Sequence, residues 1–333
     1  MRKFAFGKLG KLCDRSEATW QSIPQSDILI FMKLTFLGTG TSHGVPVIAC
    51  DCKVCKSKDP RDKRTRSSVY IQTADNKHIL IDIGPDFRGQ ALREDIREID
   101  AVLLTHSHAD HLFGIDDLRN FSCIMSKKPD NPQNEKYDKP PIPVYTNHTA
   151  AEHLKNCFGY LFSQKAEGGG HAKISLEEVT STAPFQIGNT KITPIPMMHG
   201  SLETTGWVLT EKKENKEGRP EVCSIAYLTD CNFISDESIK LIKEAAALNE
   251  GGKLTHLVID GLRIKEHSTH FNFLQALEVS GKIGGEQIWF THLTHNSSHE
   301  EVAAYLAEHR ADFPGLESTL SILPAHDGLV LEI

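Results

Sequence analysis

The run Ala101-Val102-Leu103-Leu104-Thr105 leads directly into His106-Ser107-His108-Ala109-Asp110-His111, and this junction decides how the chain is read. Four apolar residues bounded by polar ones fit a short buried strand. Four potential metal ligands then fall within six residues. A loop at a strand end can turn His106 and His108 to one side, while Asp110 and His111, entering a following helix, reach a second position. Imidazole suits zinc and iron, and a carboxylate widens the choice towards manganese. The bland alternative, a polar loop with solvated imidazoles, does not account for three His and one Asp at these intervals.

Outward from this loop the pattern is one of strands with helices interleaved. Met32 to Leu37 alternates like a strand and runs into the loop Gly38 to Gly44. Val69 to Gln72 and His78 to Ile83 read as a hairpin. Phe87 to Ile99 reads as a helix with Phe87, Leu92, Ile96 and Ile99 towards a core. Further strands are expected at Ile142 to Tyr145, Lys191 to Ile195, Gly206 to Thr210, Ser224 to Leu228, Leu254 to Ile259 and Gln287 to Phe290. Helices are expected at Thr149 to Phe158, Asp236 to Leu248, Asn272 to Lys282 and Ser298 to His309. Ser126 to Lys139, Gln164 to Lys173 and Glu211 to Glu221 read as surface loops. The expected class is a layered α/β sandwich with its chemistry at strand ends.

The hexapeptide resembles the signature of the metallo-β-lactamase fold superfamily, and the resemblance continues in order along nearly all of Met32 to Ile333. Asp82 matches an early structural Asp, His199 a later single His, Asp230 a bridging Asp and His292 the last His. The resemblance implies a four-layer αββα sandwich. It also implies a dinuclear site, with His106, His108 and His199 on one divalent ion, Asp110, His111 and His292 on the other, and Asp230 touching both. Manganese, zinc or iron would serve, and Asp110 counts with the catalytic residues.

Cys50-Asp51-Cys52-Lys53-Val54-Cys55 adds three thiols too close in sequence to pair easily among themselves. A closed structural zinc site needs four ligands. The run is similar to that of the phosphoribosyl 1,2-cyclic phosphate phosphodiesterase family, in which a His three positions after the last catalytic His is the fourth; here that is His295. The same family implies a phosphate-contacting acid at His270, in His267-Ser268-Thr269-His270-Phe271-Asn272. Phe271 interrupts the family's His-Asn pair, and His267 is the substitute candidate.

The expected activity is hydrolysis of a small, cyclic phosphodiester by water activated between two ions, with no protein nucleophile. Other bonds on the same fold are the alternative: a thioester, a lactone or the 3′ end of an RNA. A non-hydrolytic accessory protein of cofactor biosynthesis is the rival from another class. Nucleic acid is disfavoured as a partner, because the insertion at Ser126 to Lys139 is short and mixed in charge. The partner expected is a small phosphorylated molecule, and the resemblance leaves a homodimer open to the chain.

Composition sets the remaining limits. The 333 residues carry a net charge of −7, with 39% hydrophobic residues and 24% charged, an ordinary globular balance. No apolar run approaches the 18 or so residues of a membrane span. Eight Cys in a chain this large, three of them clustered, favour a metal clip in a reducing, cytoplasmic setting over disulfides. Residues 1–31 read as an N-terminal extension, with organelle targeting the lesser alternative, and 32–333 as the hydrolase domain. The basic residues from Lys53 to Arg66 read as a solvated face, with attraction of a phosphate-bearing substrate the lesser alternative, and His326 as structural or as a support behind the site. Cys13, Cys123, Cys157 and Cys223 read as small apolar fillers, and Cys231 as lining the site.

Overall fold

The computed structural model describes residues 32–122, 140–163, 170–180, 182–214 and 219–333. The proposed extension 1–31, Cys13, Cys123 and the whole insertion at Ser126 to Lys139 lie outside these.

Two sheets carry the molecule. The first is built from β1 (Met32–Gly38), β2 (Ser68–Thr73), β3 (His78–Ile81), β4 (Ala101–Leu103), β5 (Ile142–Thr146) and β6 (Ile174–Glu178), with a C-terminal strand, β14 (Val330–Glu332), on its outer edge beside β1. The second runs β13-β12-β11-β10-β9-β8-β7. Its strands are β7 (Phe185–Ile187), β8 (Thr190–His199), β9 (Leu202–Glu214), β10 (Pro220–Leu228), β11 (Lys253–Asp260), β12 (Gln287–Thr291) and β13 (Ser321–Pro324).

The period-two alternation sorts side chains into layers. Met32, Leu34, Phe36, Val69 and Ile71 of the first sheet meet Trp207, Leu209, Ile225, Tyr227 and Val258 of the second in a core between the sheets. Leu80, Val102 and Val144 point the other way, onto α1 (Phe87–Arg93), α2 (Ala109–Leu112) and α4 (His148–Cys157). Ala226, Leu228, Leu257 and Ile259 likewise face α5 (Asp236–Ala245), α6 (Phe273–Ile283) and α7 (His299–His309). Helix, sheet, sheet, helix: the fold is the expected αββα sandwich. A further short helix, α3 (Arg119–Ser122), lies between α2 and β5.

Several expectations need correcting. The helix expected over Phe87 to Ile99 ends at Arg93, because Asp95 takes a left-handed φ of 51°. Ile96 and Ile99 still reach the core through the turn, but Leu92 is 67% exposed. Glu211 to Glu221 is no simple loop: β9 runs to Glu214 and β10 begins at Pro220, pairing Glu211 with Cys223. Glu211 is buried, where it accepts from Thr190 Oγ1 at 2.8 Å. Cys157 is exposed rather than an apolar filler, whereas Cys223 is buried. The basic run is largely paired on the surface, but Arg64 is buried.

Candidate metal centre

The site forms where strands end. Asp82, Asp230 and His292 each follow the last residues of β3, β10 and β12, and each has a left-handed backbone, φ 62°, 55° and 60°. Asp and His tolerate this conformation better than most residues with a Cβ, and it swings the side chain off the sheet towards the neighbouring loop. Gly84 completes the turn: a Cβ there would lie 1.9 Å from the Asp110 carbonyl, so only glycine lets this turn pack under the His-rich loop.

The expected ligands converge in three groups whose donor atoms lie within 4.8 Å of one another: His106, His108 and His199; Asp110, His111, Asp230 and His292; and Cys50, Cys52, Cys55 and His295. Asp230 joins the first two groups. Its Oδ2 is 3.0 Å from His111 Nε2 and 3.2 Å from His292 Nε2, while Oδ1 looks towards His106 Nε2 at 4.0 Å. Asp110 Oδ2 is 3.2 Å from His111 Nε2. His108 is the exposed member of the set and marks the open side.

The outer nitrogens fix how the imidazoles point. His111 Nδ1 donates to Asp82 Oδ2 at 2.7 Å, and His199 Nδ1 to the Thr269 carbonyl at 2.7 Å. Thr105 Oγ1 donates to Asp82, so it accepts from His106 Nδ1 at 3.0 Å. Each bond leaves Nε2 facing inward, the arrangement that outer partners of metal-bound His provide. The buried Nε2 atoms of His106, His111 and His292 find no hydrogen-bond partner among the described residues.

Charge gives an independent test. Burial, then the neighbouring His111, lowers His106 well below its ordinary pKa; burial also lowers His108 and His292, leaving neutral imidazoles. Burial opposes ionisation of Asp110 and Asp230, but His111 outweighs it and holds both carboxyls below the usual range. Burial also opposes charge on His111, yet Asp230, Asp110 and Asp82 raise it well above 6.5. The Asp110 and Asp230 carboxylates around one imidazolium in a buried site call for additional positive charge, and inward-facing neutral nitrogens are the donors a divalent ion uses. The residues fit such a centre.

The thiol group fits a different ion. His295 Nδ1 lies 3.3, 3.5 and 3.4 Å from the sulfurs of Cys50, Cys52 and Cys55. A single ring nitrogen cannot hydrogen-bond three sulfurs at once. Bond lengths of about 2.3 Å to sulfur and 2.0–2.1 Å to nitrogen around a tetrahedral ion give N–S edges of about 3.6 Å. The spacing is that of a closed Cys3His site.

His270 stands beside the cluster. It stacks on His292, with centroids 4.7 Å apart and planes 17° apart, and meets His199 edge-on at 4.5 Å. Its Nδ1 donates to Asp260 Oδ2 at 2.7 Å, which leaves Nε2 for a reacting group. Burial works against the imidazolium, but Asp260 overrides it and raises His270 to about 9. His267 is exposed, and its Nδ1 accepts from the Thr269 backbone N–H at 3.3 Å. Sequence reasoning missed Asp260, which also accepts from the Cys231 backbone N–H at 3.0 Å. Its signal was there: like Asp82 and Asp230, it follows an apolar run. Cys231 does not line the site as expected, because its sulfur turns to the Leu228 carbonyl within the helix-side core. His326, expected to be structural, packs edge-on against the His299 ring at 5.6 Å.

Residues 77–293 match the family model of the beta-lactamase superfamily domain. The crystal structure of a diphosphatase from the PhnP family is 35% identical, with a TM-score of 0.70 over 92% of this chain and 98% of that one. The chain belongs to the metallo-β-lactamase superfamily, within the PhnP family. A Porphyromonas gingivalis protein named octanoyltransferase is 35% identical over 292 residues, 87% of this chain but 52% of the relative. The chain therefore spans about half the length of that curated relative. The Zn2+-bound PqqB of Methylobacterium extorquens shares the fold at 17% identity, with a TM-score of 0.64 over 90% of this chain and all of that one. Among the described residues, no helix is long and apolar enough to cross a membrane.

Proposed function

We propose that the protein hydrolyses a small phosphodiester, with a cyclic phosphate such as a phosphoribosyl 1,2-cyclic phosphate as the first candidate. The observation that carries this reading is the Asp260–His270 pair, set against His292 and His199 at the edge of the ligand cluster. His106, His108 and His199 would hold one divalent ion, Asp110, His111 and His292 a second, and Asp230 would touch both; the thiol group would hold one zinc. Divalent ions there supply Lewis acidity towards phosphoryl oxygens and lower the pKa of water.

The chain's own residues do the rest. Asp260 fixes the His270 tautomer and stabilises its protonated form. His270 then presents a proton at Nε2 to the leaving oxygen, the step an alkoxide leaving group needs. Asp82 and Thr105 hold His111 and His106 in place from behind.

Hydrolysis of a diphosphate linkage is a second reading, supported by the 35%-identical diphosphatase. The acyl transfer named for the P. gingivalis relative draws no support from Cys231, whose buried thiol is pushed well above its ordinary pKa by burial.

The test sets bis-p-nitrophenyl phosphate and a five-membered cyclic phosphate beside a thioester. Phosphodiester turnover should dominate. His270→Ala should lose about 10²–10⁴-fold on the cyclic phosphate, and much less on the p-nitrophenyl ester, whose leaving group needs little protonation. Preference for the thioester would overturn the assignment. Equal losses on both phosphate substrates would remove His270 as the acid.

A further inference from the structure

Two anchored peptides precede His270. The Ser268 carbonyl accepts from Asn232 Nδ2 at 3.0 Å, and the Thr269 carbonyl accepts from His199 Nδ1 at 2.7 Å. A peptide unit is planar, so holding two in succession fixes the soft dihedrals between them and the direction in which the chain enters His270. The segment needs such holding: residues 261–270 form no helix or strand, and 264–268 are exposed.

The other end of the same amide serves a second loop. Asn232 Oδ1 accepts from the Gly200 backbone N–H at 2.8 Å, in the peptide that leaves His199. Gly200 has a left-handed φ of 62°, and a Cβ there would lie 2.9 Å from Thr269 Cγ2, so the two loops touch. Asn232 is itself secured. Its N–H donates to the Met198 carbonyl at 2.9 Å, and the Met198 N–H donates to the Phe233 carbonyl at 3.0 Å. It lies two residues after Asp230, is half-buried, and belongs to neither ligand group.

We propose that Asn232 is a positioning residue: a latch that holds His199 and His270 at one fixed separation, referred to the segment that carries Asp230. The inference rests on the phosphodiester reading, in which His270 is the acid. The amide is a rigid plate with an acceptor at one end and a donor at the other. Among side chains of this size only Asn supplies both, since a carboxylate would set an acceptor against the Ser268 carbonyl. An Asn that merely stabilises its own turn bonds backbone a few residues away. This one bonds backbone 32 and 36 residues away, on the two loops that carry the His pair.

Full-length protein reconstituted with cobalt tests the latch through Asn232→Asp and Asn232→Ala. Asn232→Ala releases both loops and should weaken cobalt at the His106, His108 and His199 group about 10-fold, the usual cost of losing a support behind a ligand. Asn232→Asp keeps the Gly200 bond and should stay within about 3-fold of wild type. At saturating cobalt, both variants should lose about 10-fold on a five-membered cyclic phosphate but less than about 3-fold on bis-p-nitrophenyl phosphate, whose leaving group needs little protonation. The Ala variant adds no charge, so a selectivity shared by both variants comes from position. In a His270→Ala background, Asn232→Ala should cost nothing further on the cyclic phosphate, because the two residues act as one unit. Equal losses on both esters, or a further loss of about 10-fold without His270, would show a general loosening and overturn the latch. Unchanged cobalt binding in Asn232→Ala would overturn it as well. If the wild type hydrolyses neither phosphate, the phosphodiester reading falls and cobalt decides the latch alone: weakening of about 10-fold keeps it, and none removes it.

Discussion

Replacing Arg64 with Met keeps most of the side chain's length while deleting a guanidinium that is wholly buried. That group donates to the Thr294 carbonyl at 2.6 Å, the Ser297 carbonyl at 3.1 Å and Asp62 Oδ1 at 3.3 Å. Thr294 and Ser297 bracket His295 of the thiol group, and the same segment begins at His292 of the other cluster. The Arg64 backbone pairs with Val45 in both directions, at 2.7 and 2.8 Å, and the Val47 N–H donates to Cys55 Sγ. One side chain therefore ties the Cys-bearing loop to the loop that serves both clusters. Hydrogen bonds from a charged donor contribute about 1.5–3 kcal/mol each, and stripping one partner from a buried ion pair costs about 3–5 kcal/mol. The contributions overlap, so Arg64→Met should lose about 3–5 kcal/mol rather than their total, a large part of the 5–15 kcal/mol typical of a domain. Urea unfolding at fixed zinc concentration reads this as a lower midpoint with an unchanged slope. Cobalt titration should show weaker binding at both clusters, with the thiolate-to-cobalt absorption reduced. A loss under about 1 kcal/mol with full cobalt at both would refute the tie.

Elemental analysis should find three ions per chain, and Cys52→Ala should remove one of them and lower stability, because binding free energy at a structural site is folding free energy; two ions in both proteins would sink the assignment. Asp230→Asn should weaken the second catalytic ion and collapse turnover, so a fully loaded variant with a near-normal rate would take Asp230 out of the centre. His256, buried against Trp289, whose Nε1–H donates to its Nδ1 at 3.1 Å, is pushed down to about 4 by burial. Above pH 6.5 it is neutral in both states; below that the unfolded chain takes up a proton that the folded one refuses, so stability falls between pH 6.5 and 4 by up to about 3 kcal/mol. The same pH slope in His256→Asn would show that another group carries the loss.

Legibility in the sequence followed chemistry and local pattern. The His106 to His111 loop and the Cys50 to Cys55 clip could be read because few residue types bind such ions and these lie close in sequence. His199, Asp230, His292 and His295 needed the resemblance, since each alone looks like any polar residue, and the fold then brought them to the groups expected. Asp260 stayed hidden for the same reason. The basic run concealed Arg64, because the sequence gives no sign of which cation the fold will bury. The extended hairpin of β9 and β10 was missed where Lys and Glu dominate a strand that lies beyond the inter-sheet core. Short strands such as β6, β7 and β13 are set by partners far away in sequence, which periodicity over three to five residues cannot reveal.

The three left-handed residues explain why this site needs such thorough bracing. A non-glycine residue in that region costs roughly 1–3 kcal/mol and persists only where its surroundings over-determine it. At Asp82 the determinants are visible: its carboxylate accepts from the Thr105 N–H, the Thr105 hydroxyl and His111 Nδ1, all within 3.0 Å. At His292 the neighbouring Leu293 is locked by backbone bonds in both directions, from its N–H to the Thr39 carbonyl and from the Thr41 N–H to its own. Asp230 is followed by Cys231, whose N–H is held by Asp260. Each bent residue thus has an adjacent or contacting anchor from another strand end. The strain is distributed over the ends of six strands, the bent residues following β3, β10 and β12 and their anchors standing at the ends of β4, β11 and β1, so that no single loop has to hold a ligand by itself. A substitution at one anchor should accordingly disturb more than the one ligand beside it: Asp260 steadies His270 through its side chain and Asp230 through the Cys231 backbone, and the proposed acid and bridging carboxylate are positioned by the same oxygen, Asp260 Oδ2.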